Sequence, residues 1–206
     1  MARRSDHSRE EIAALAIASA KKLISENGIE EASIRKVAGD IGYSPGTLYN
    51  VFEDFYEIII AVAEGVLDEM IAAASTDLEG KQGREGLYEL ADFYVRFTQL
   101  NYHRWRLVTE YQLPKGKSLP QSYVEKMNAV LGFIERAIKH YFPESQAMER
   151  RKTAVTLWAS LHGVCSVSSN SLARIPPRAR RELARILVDR FVVGLEETPT
   201  PVSIAS

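Results

Sequence analysis

The chain has one cysteine, Cys165, among its 206 residues, so no intrachain disulfide can staple it. That usage suits a reducing compartment. It has no surplus of cations: 26 Lys and Arg face 27 Asp and Glu, for a formal net charge of −1. This excludes a polycationic coat for nucleic acid, and any DNA-binding role must rest on a local site. Even the first 52 residues are neutral. Arg3, Arg4, Arg9, Lys21, Lys22, Arg35 and Lys36 are matched there by Asp6, Glu10, Glu11, Glu26, Glu30, Glu31 and Asp40. No long apolar run is present. The best stretch, Ile58 to Val66, is broken by Glu64 and is too short to cross a bilayer. MARRSDHSRE at the start lacks the apolar segment of a signal peptide. The expectation is a cytoplasmic protein with no membrane partner.

Catalytic signatures are missing as well. There is no G-x-S-x-G, Walker A, G-x-G-x-x-G or H-E-x-x-H pattern. The neighbouring acids Glu30-Glu31 and Glu196-Glu197 point in different directions on a helix and suit solvent. Ser166, Ser168, Ser169 and Ser171 lie near His162 in sequence, but no nearby acid would orient the imidazole. His162 and Cys165 are three residues apart, yet a metal site needs more ligands of the right type. A packed or hydrogen-bonded pair is the simpler reading. No enzymatic activity, metal or cofactor is expected.

Helical periodicity fills the chain, and strand signals are nearly absent. The predicted class is all-α: an N-terminal three-helix helix-turn-helix domain, then a C-terminal helical ligand-binding and dimerisation bundle. The predicted divisions are residues 1–54, 55–198 and a disordered tail, 199–206. A polar, glycine-bearing break falls at Gly80 to Gly86. Ser8-Arg9-Glu10-Glu11 is a capping box. The stripe Ile12, Leu15, Ala16, Leu23 and Ile24 follows it, and Asn27-Gly28 ends that helix. Ser33 caps a second helix, and Gly42 supplies a turn. Ser44, with Pro45 after it, opens a third helix to about Phe52. Longer helices are predicted from about Phe55 to Ala74, Glu85 to Leu100, Arg104 to Gln112, Pro120 to before Pro143, Gln146 to Leu172 and Arg178 to Glu196.

The segment SIRKVAGDIGYSPGTLYNVF, Ser33 to Phe52, carries the functional signal. Two short helices joined by a glycine turn are the layout that places a second helix in the DNA major groove. Val37, Ala38, Ile41, Leu48 and Phe52 are spaced to lock the pair together. Gly46 and Thr47 keep the front of the third helix slim. The same pattern would also suit a plain helical hairpin inside a bundle, but the Ser-Pro start and the Gly-Thr-Leu-Tyr run argue for DNA.

Ser33-Ile34-Arg35, Val37-Ala38, Gly42, Ser44-Pro45-Gly46-Thr47-Leu48-Tyr49 and Phe52 together resemble the TetR/AcrR family of one-component transcriptional repressors. The resemblance covers about residues 8 to 60. It implies that Ser33 and Arg35 contact phosphate or a base edge. It places Tyr43, Pro45, Gly46 and Thr47 at the base-edge face and Tyr49 and Asn50 on phosphates, with the cap Ser44 also among the DNA-binding residues. Arg3 and Arg4 would act as a loose arm to a groove or to phosphates. One position departs from the pattern. Many members carry a lysine just after the recognition helix; here Glu53-Asp54 stands there. Weaker phosphate anchoring, or a substitute cation elsewhere, is expected.

The resemblance makes the remainder a ligand-binding and dimerisation domain. Trp158-Ala-Ser-Leu-His162-Gly163 resembles the W-x-x-x-H-G signature of one C-terminal subclass, with Trp158 and His162 on one helix face and Gly163 open to close helix approach. Phe93, Tyr94, Phe97, Tyr102, Trp105 and Tyr111, with Phe133, Trp158 and His162, are candidate linings of an apolar cavity for a hydrophobic or aromatic effector. They read equally as ordinary core. A homodimer is expected through the last two long helices, with Ala154, Leu157, Leu161, Val164 and Ser168 on one stripe. Leu183, Ile186, Leu187, Arg190, Phe191 and Gly194 form the other; the same stripes also suit the chain's own core, and each can serve both. Such a two-fold dimer would bind a palindromic double-stranded operator. A helical small-molecule-binding protein that has lost specific DNA binding is the alternative.

Overall fold

The structure, a computed structural model, describes residues 7–167 and 176–197. Arg3, Arg4, Ser168, Ser169, Ser171 and the 199–206 segment lie outside the described residues. Among those described, the order is α1 (Arg9–Asn27), α2 (Ile34–Asp40), α3 (Pro45–Tyr49), α4 (Phe55–Asp77), α5 (Gly83–Leu100), α6 (Tyr102–Glu110), α7 (Gln121–Ala137), α8 (Ala147–Val167) and α9 (Pro177–Glu197). Single 3-10 turns stand at Ile29–Glu31, Lys139–Tyr141 and Glu144–Gln146. The class is all-α. No helix among the described residues is long and apolar enough to cross a membrane.

The chain forms two compact units. One takes the described residues up to Glu69 together with Asn101–Lys126; the other takes Met70–Leu100 and the described residues from Met127 onward.

In the first unit, local chemistry sets the helix ends. The Ser8 hydroxyl accepts from the Glu11 N–H at 3.2 Å while the Ser8 N–H donates to the Glu11 carboxylate at 2.6 Å. Gly28 closes α1 at φ +85°, a conformation that glycine adopts without a Cβ clash. The buried face of α1 is Ile12, Ala16, Ser19, Ala20 and Ile24. Leu15, expected in that stripe, is 38% exposed. Ser19, four residues on, is buried and donates to Asp40 at 2.7 Å, tying α1 to the end of α2. Glu69 on α4 receives Lys21 of α1 at 2.5 Å and Arg104 of α6 at 2.8 Å. One carboxylate thus joins three helices.

In the second unit α5, α8 and α9 pack on one another. Leu87, Leu90, Ala91, Tyr94 and Thr98 form the expected inner side of α5, all buried. Ala154, Leu157 and Leu161 of α8 are buried to within 1%, in the chain's own core rather than on a dimer surface. The physical reason is that α9 covers them, turning Ala184, Val188 and Val192 inward, each fully buried. The predicted α9 stripe is therefore left outward: Ile186 is 48% exposed, and Arg190 and Gly194 are exposed. Among the described residues, nothing lies within 4 Å of where a Cβ on Gly163 would be, so none of them makes the close helix approach expected there.

Candidate nucleic-acid interface and ligand cavity

The helix-turn-helix is assembled from buried apolar side chains, Ile34 among them. Val37, Ala38 and Leu48 are fully buried and Phe52 nearly so; Ile41 is half-buried. Between the helices Gly42 takes φ +76°, and the Tyr43 N–H donates to the Ala38 carbonyl at 2.9 Å. Ser33 caps α2, accepting from the Lys36 N–H at 3.3 Å. Ser44 caps α3, accepting from the Thr47 N–H at 3.1 Å, with Pro45 in the first turn. Helix α3 ends at Tyr49, shorter than the expected Phe52; Asn50 and Val51 turn away with N–H bonds back to Gly46, Thr47 and Leu48.

This packing leaves one face outward. Arg35, Ser44, Gly46, Tyr49 and Asn50 are exposed, and Ser33, Tyr43, Pro45 and Thr47 are half-exposed. Tyr49, at 56%, is among the most exposed large side chains. The Tyr43 hydroxyl and the His7 ring nitrogen Nδ1 share a hydrogen bond at 2.7 Å. Among the described residues, Arg35 has no ion-pair partner, whereas Lys36 is held by Glu31 at 2.6 Å. The segment thus presents an unpaired guanidinium, amide and hydroxyl donors and a slim helix front, the set that reads base edges and phosphates.

At the corner between α3 and α4 stand the two acids. Asp54 caps α4, its carboxylate accepting from the Glu57 N–H at 3.3 Å. A cation does meet them, from far along the chain. Lys117 Nζ lies 2.8 Å from Asp54 and 3.2 Å from Glu53. Its hydrogen bond, ahead of the burial that opposes it, holds the Asp54 carboxyl below its ordinary range. Sequence inspection did not find this residue, because nothing local pairs position 117 with position 54.

In the second unit a small apolar cavity lies among the end of α4 (Met70, Ala74), α5 (Leu90, Phe93, Tyr94), α7 (Val130, Phe133, Ile134) and Trp158 of α8. Of the predicted lining, Phe93, Tyr94, Phe133 and Trp158 are there. His162 is joined to them: its ring stacks on Trp158 at 5.8 Å, and Nδ1 meets the Tyr94 hydroxyl at 3.1 Å. Nε2 meets Ser166 Oγ at 2.9 Å. Phe97 stacks on Phe93 at 5.9 Å and is not among the lining residues. Tyr102, Trp105 and Tyr111 belong to the first unit, where Tyr111 stacks on Tyr56 at 6.4 Å. The aliphatic lining residues carry no sequence signal that separates them from core. The indole Nε1 of Trp158 is buried without a hydrogen-bond partner, a cost that a ligand oxygen would remove. Cys165 is buried, and burial pushes its thiol pKa up, a hydrogen bond with Thr98 acting against this; such a thiol is a poor nucleophile.

An all-α chain with a capped, outward-facing helix-turn-helix and a helical C-terminal region has the architecture of a DNA-binding regulator. Sequence profiles agree. "Bacterial regulatory proteins, tetR family" matches residues 16–62. "Tetracyclin repressor-like, C-terminal domain" matches residues 87–191, just over half the chain. The chain belongs to the TetR family of transcriptional regulators. These domains point to a non-enzymatic regulator. Among proteins of curated function, no sequence matches significantly.

Several solved structures share the fold. A protein of unknown function from Rhodococcus sp. RHA1 is similar at 21% identity, TM-score 0.71, over 93% of this chain and 97% of that one. The fatty acid degradation regulator FadR of Bacillus halodurans is similar at 18% identity, TM-score 0.65, over 91% and 97%. FadR of Bacillus subtilis, solved with stearoyl-CoA, is similar at 18% identity, TM-score 0.65, over 88% and 98%.

Proposed function

We propose that the chain is a homodimeric transcriptional repressor whose operator affinity is relieved by a small hydrophobic or aromatic effector. In this reading residues 1–54 bind DNA and residues 55–198 bind the effector and dimerise. The run Trp158, His162 and Gly163 supports a C-terminal domain of the W-x-x-x-H-G subclass. The observation that carries the reading is the outward face of the locked helix-turn-helix. Arg35, Ser33, Tyr43, Ser44, Pro45, Gly46, Thr47, Tyr49 and Asn50 stand on one short segment, with Arg35 uncommitted among the described residues. The dimer would use the outward stripe of α9 with the exposed side of α8, where Val155 is 40% exposed.

The cavity supports an apolar effector. It now has room for little more than one water molecule, so a ligand must part α4, α5, α7 and α8 to enter. Because α4 begins directly after the helix-turn-helix, that displacement would move the recognition helices of the dimer off successive major grooves. The ligand has to bind the two arrangements with different affinity for the equilibrium to shift.

Fluorescence anisotropy on labelled duplex from upstream of the chain's own gene, with random DNA as competitor, tests the proposal. Saturable binding that outlasts the competitor is the expected result, and Arg35→Ala should weaken it by roughly 1–3 kcal/mol. Equal binding by the Ala variant would remove Arg35 from the interface. Equal weak binding of both DNAs would instead favour a small-molecule-binding protein without operator specificity. An effector should quench Trp158 in a Trp105→Phe background and release the DNA over the same concentration range. Quenching without release would separate the cavity from operator control.

A further inference from the structure

We propose that Lys117, carried by the loop between α6 and α7, makes the corner after the recognition helix acceptable to DNA by neutralising Glu53 and Asp54. The inference rests on the DNA-binding reading above and goes beyond the helix-turn-helix itself. Tyr49 and Asn50 are exposed at the end of α3, and the two acids follow three and four residues after Asn50. Glu53 is 75% exposed. Carboxylates this near a phosphate backbone act within the screening distance of about 8–10 Å at ordinary salt, so left alone they repel the duplex.

The loop is built to hold its lysine there. Gly116 takes φ +83°, and the Lys117 N–H donates to the Pro114 carbonyl at 3.0 Å, the geometry of a tight turn with glycine at its third position. The Tyr56 hydroxyl, on the first turn of α4, donates to the Ser118 carbonyl at 2.9 Å. Tyr111 stacks on the same Tyr56 ring, and Lys117 Nζ sits 5.7 Å from its centroid. Two backbone anchors and one stack therefore aim a single cation at two acids. Lys115, one residue before the glycine, is exposed and adds a second positive charge to the loop. The loop acts through the acids, so Lys117 is a positioning residue for DNA binding, and a shift of the α6–α7 segment would uncover two negative charges at the interface.

The test measures anisotropy of a short random-sequence duplex, and of the operator once selected, at low and at raised salt. Lys117→Ala should bind about tenfold more weakly at roughly 50 mM salt, the deficit narrowing as salt screens the exposed acids. Adding Glu53→Gln and Asp54→Asn to that variant should restore affinity, since asparagine still caps α4 and the repulsion is gone. Trp105 fluorescence melts keep the comparison to folded protein. Wild-type affinity in Lys117→Ala overturns the proposal while leaving the DNA-binding reading intact. A weakened variant that the two amide substitutions fail to rescue overturns it too, because the loss is then structural. Absence of any duplex binding by the wild-type chain overturns both.

Discussion

Removing both arginines that face Asp92 should cost the second unit more than removing Asp92 itself. Asp92 on α5 is 7% exposed. It accepts from Arg181 of α9 at 2.6 Å and from Arg185 at 2.5 and 3.2 Å. The arginines are half-exposed or more. Burial opposes ionisation of Asp92, yet the two guanidinium groups outweigh it and hold the carboxyl at about 2, against an ordinary 3.8. That difference corresponds to about 2 kcal/mol of stability, the expected loss in Asp92→Ala, where two solvated arginines are left behind. Arg181→Ala with Arg185→Ala strands a buried carboxylate instead, and a loss of about 3–5 kcal/mol is expected. The folded pKa is depressed, so this stability is present above pH 3.8 and is lost as pH falls toward 2. Urea unfolding, followed through Trp158 in a Trp105→Phe background, should therefore show the stability gap between the parent chain and its Asp92→Asn variant closing as pH falls through that window. A gap that stays constant over that range would mean that the ion pairs do not hold α9 on α5.

The second large effect concerns the recognition helix. Leu48→Ala should destabilise the first unit by about 3 kcal/mol and abolish DNA binding. Helix α3 has five residues, too few to persist without tertiary packing, and Leu48 is its one fully buried side chain. The neighbouring Tyr49→Ala is the contrast. Tyr49 is 56% exposed, so stability should change by no more than about 0.5 kcal/mol, while DNA affinity falls. Unfolding followed through Trp105, buried in α6 against α1, reads the first quantity, and anisotropy reads the second. If Leu48→Ala binds DNA normally, α3 is not the recognition helix. If Tyr49→Ala lowers stability as much as Leu48→Ala, its ring is structural.

Much of the fold was legible in the chain because it rests on short-range chemistry. Ser8, Ser33 and Ser44 cap helices through partners three residues away, and Gly28 and Gly42 supply positive φ where a helix or turn requires it. The α5 stripe followed from periodicity alone. Where periodicity failed, partners on other helices had decided the outcome: Asp40 gives the buried Ser19 hydroxyl an acceptor, and the packing of α8 with α5 and α9 accompanies the burial of Leu157 and Leu161.

The sequence by itself determined the all-α class, the helix-turn-helix and its outward residues, since each follows from contacts within one or two turns. Tertiary structure alone decided three things. It brought Lys117 to Glu53 across 64 residues and Arg185 to Asp92 across 93, and it sorted the aromatics, placing Tyr94, Phe133 and Trp158 on a cavity and Tyr111 against Tyr56. Charge pairing and cavity lining depend on which helix faces abut, and no periodicity within a single helix encodes its neighbour.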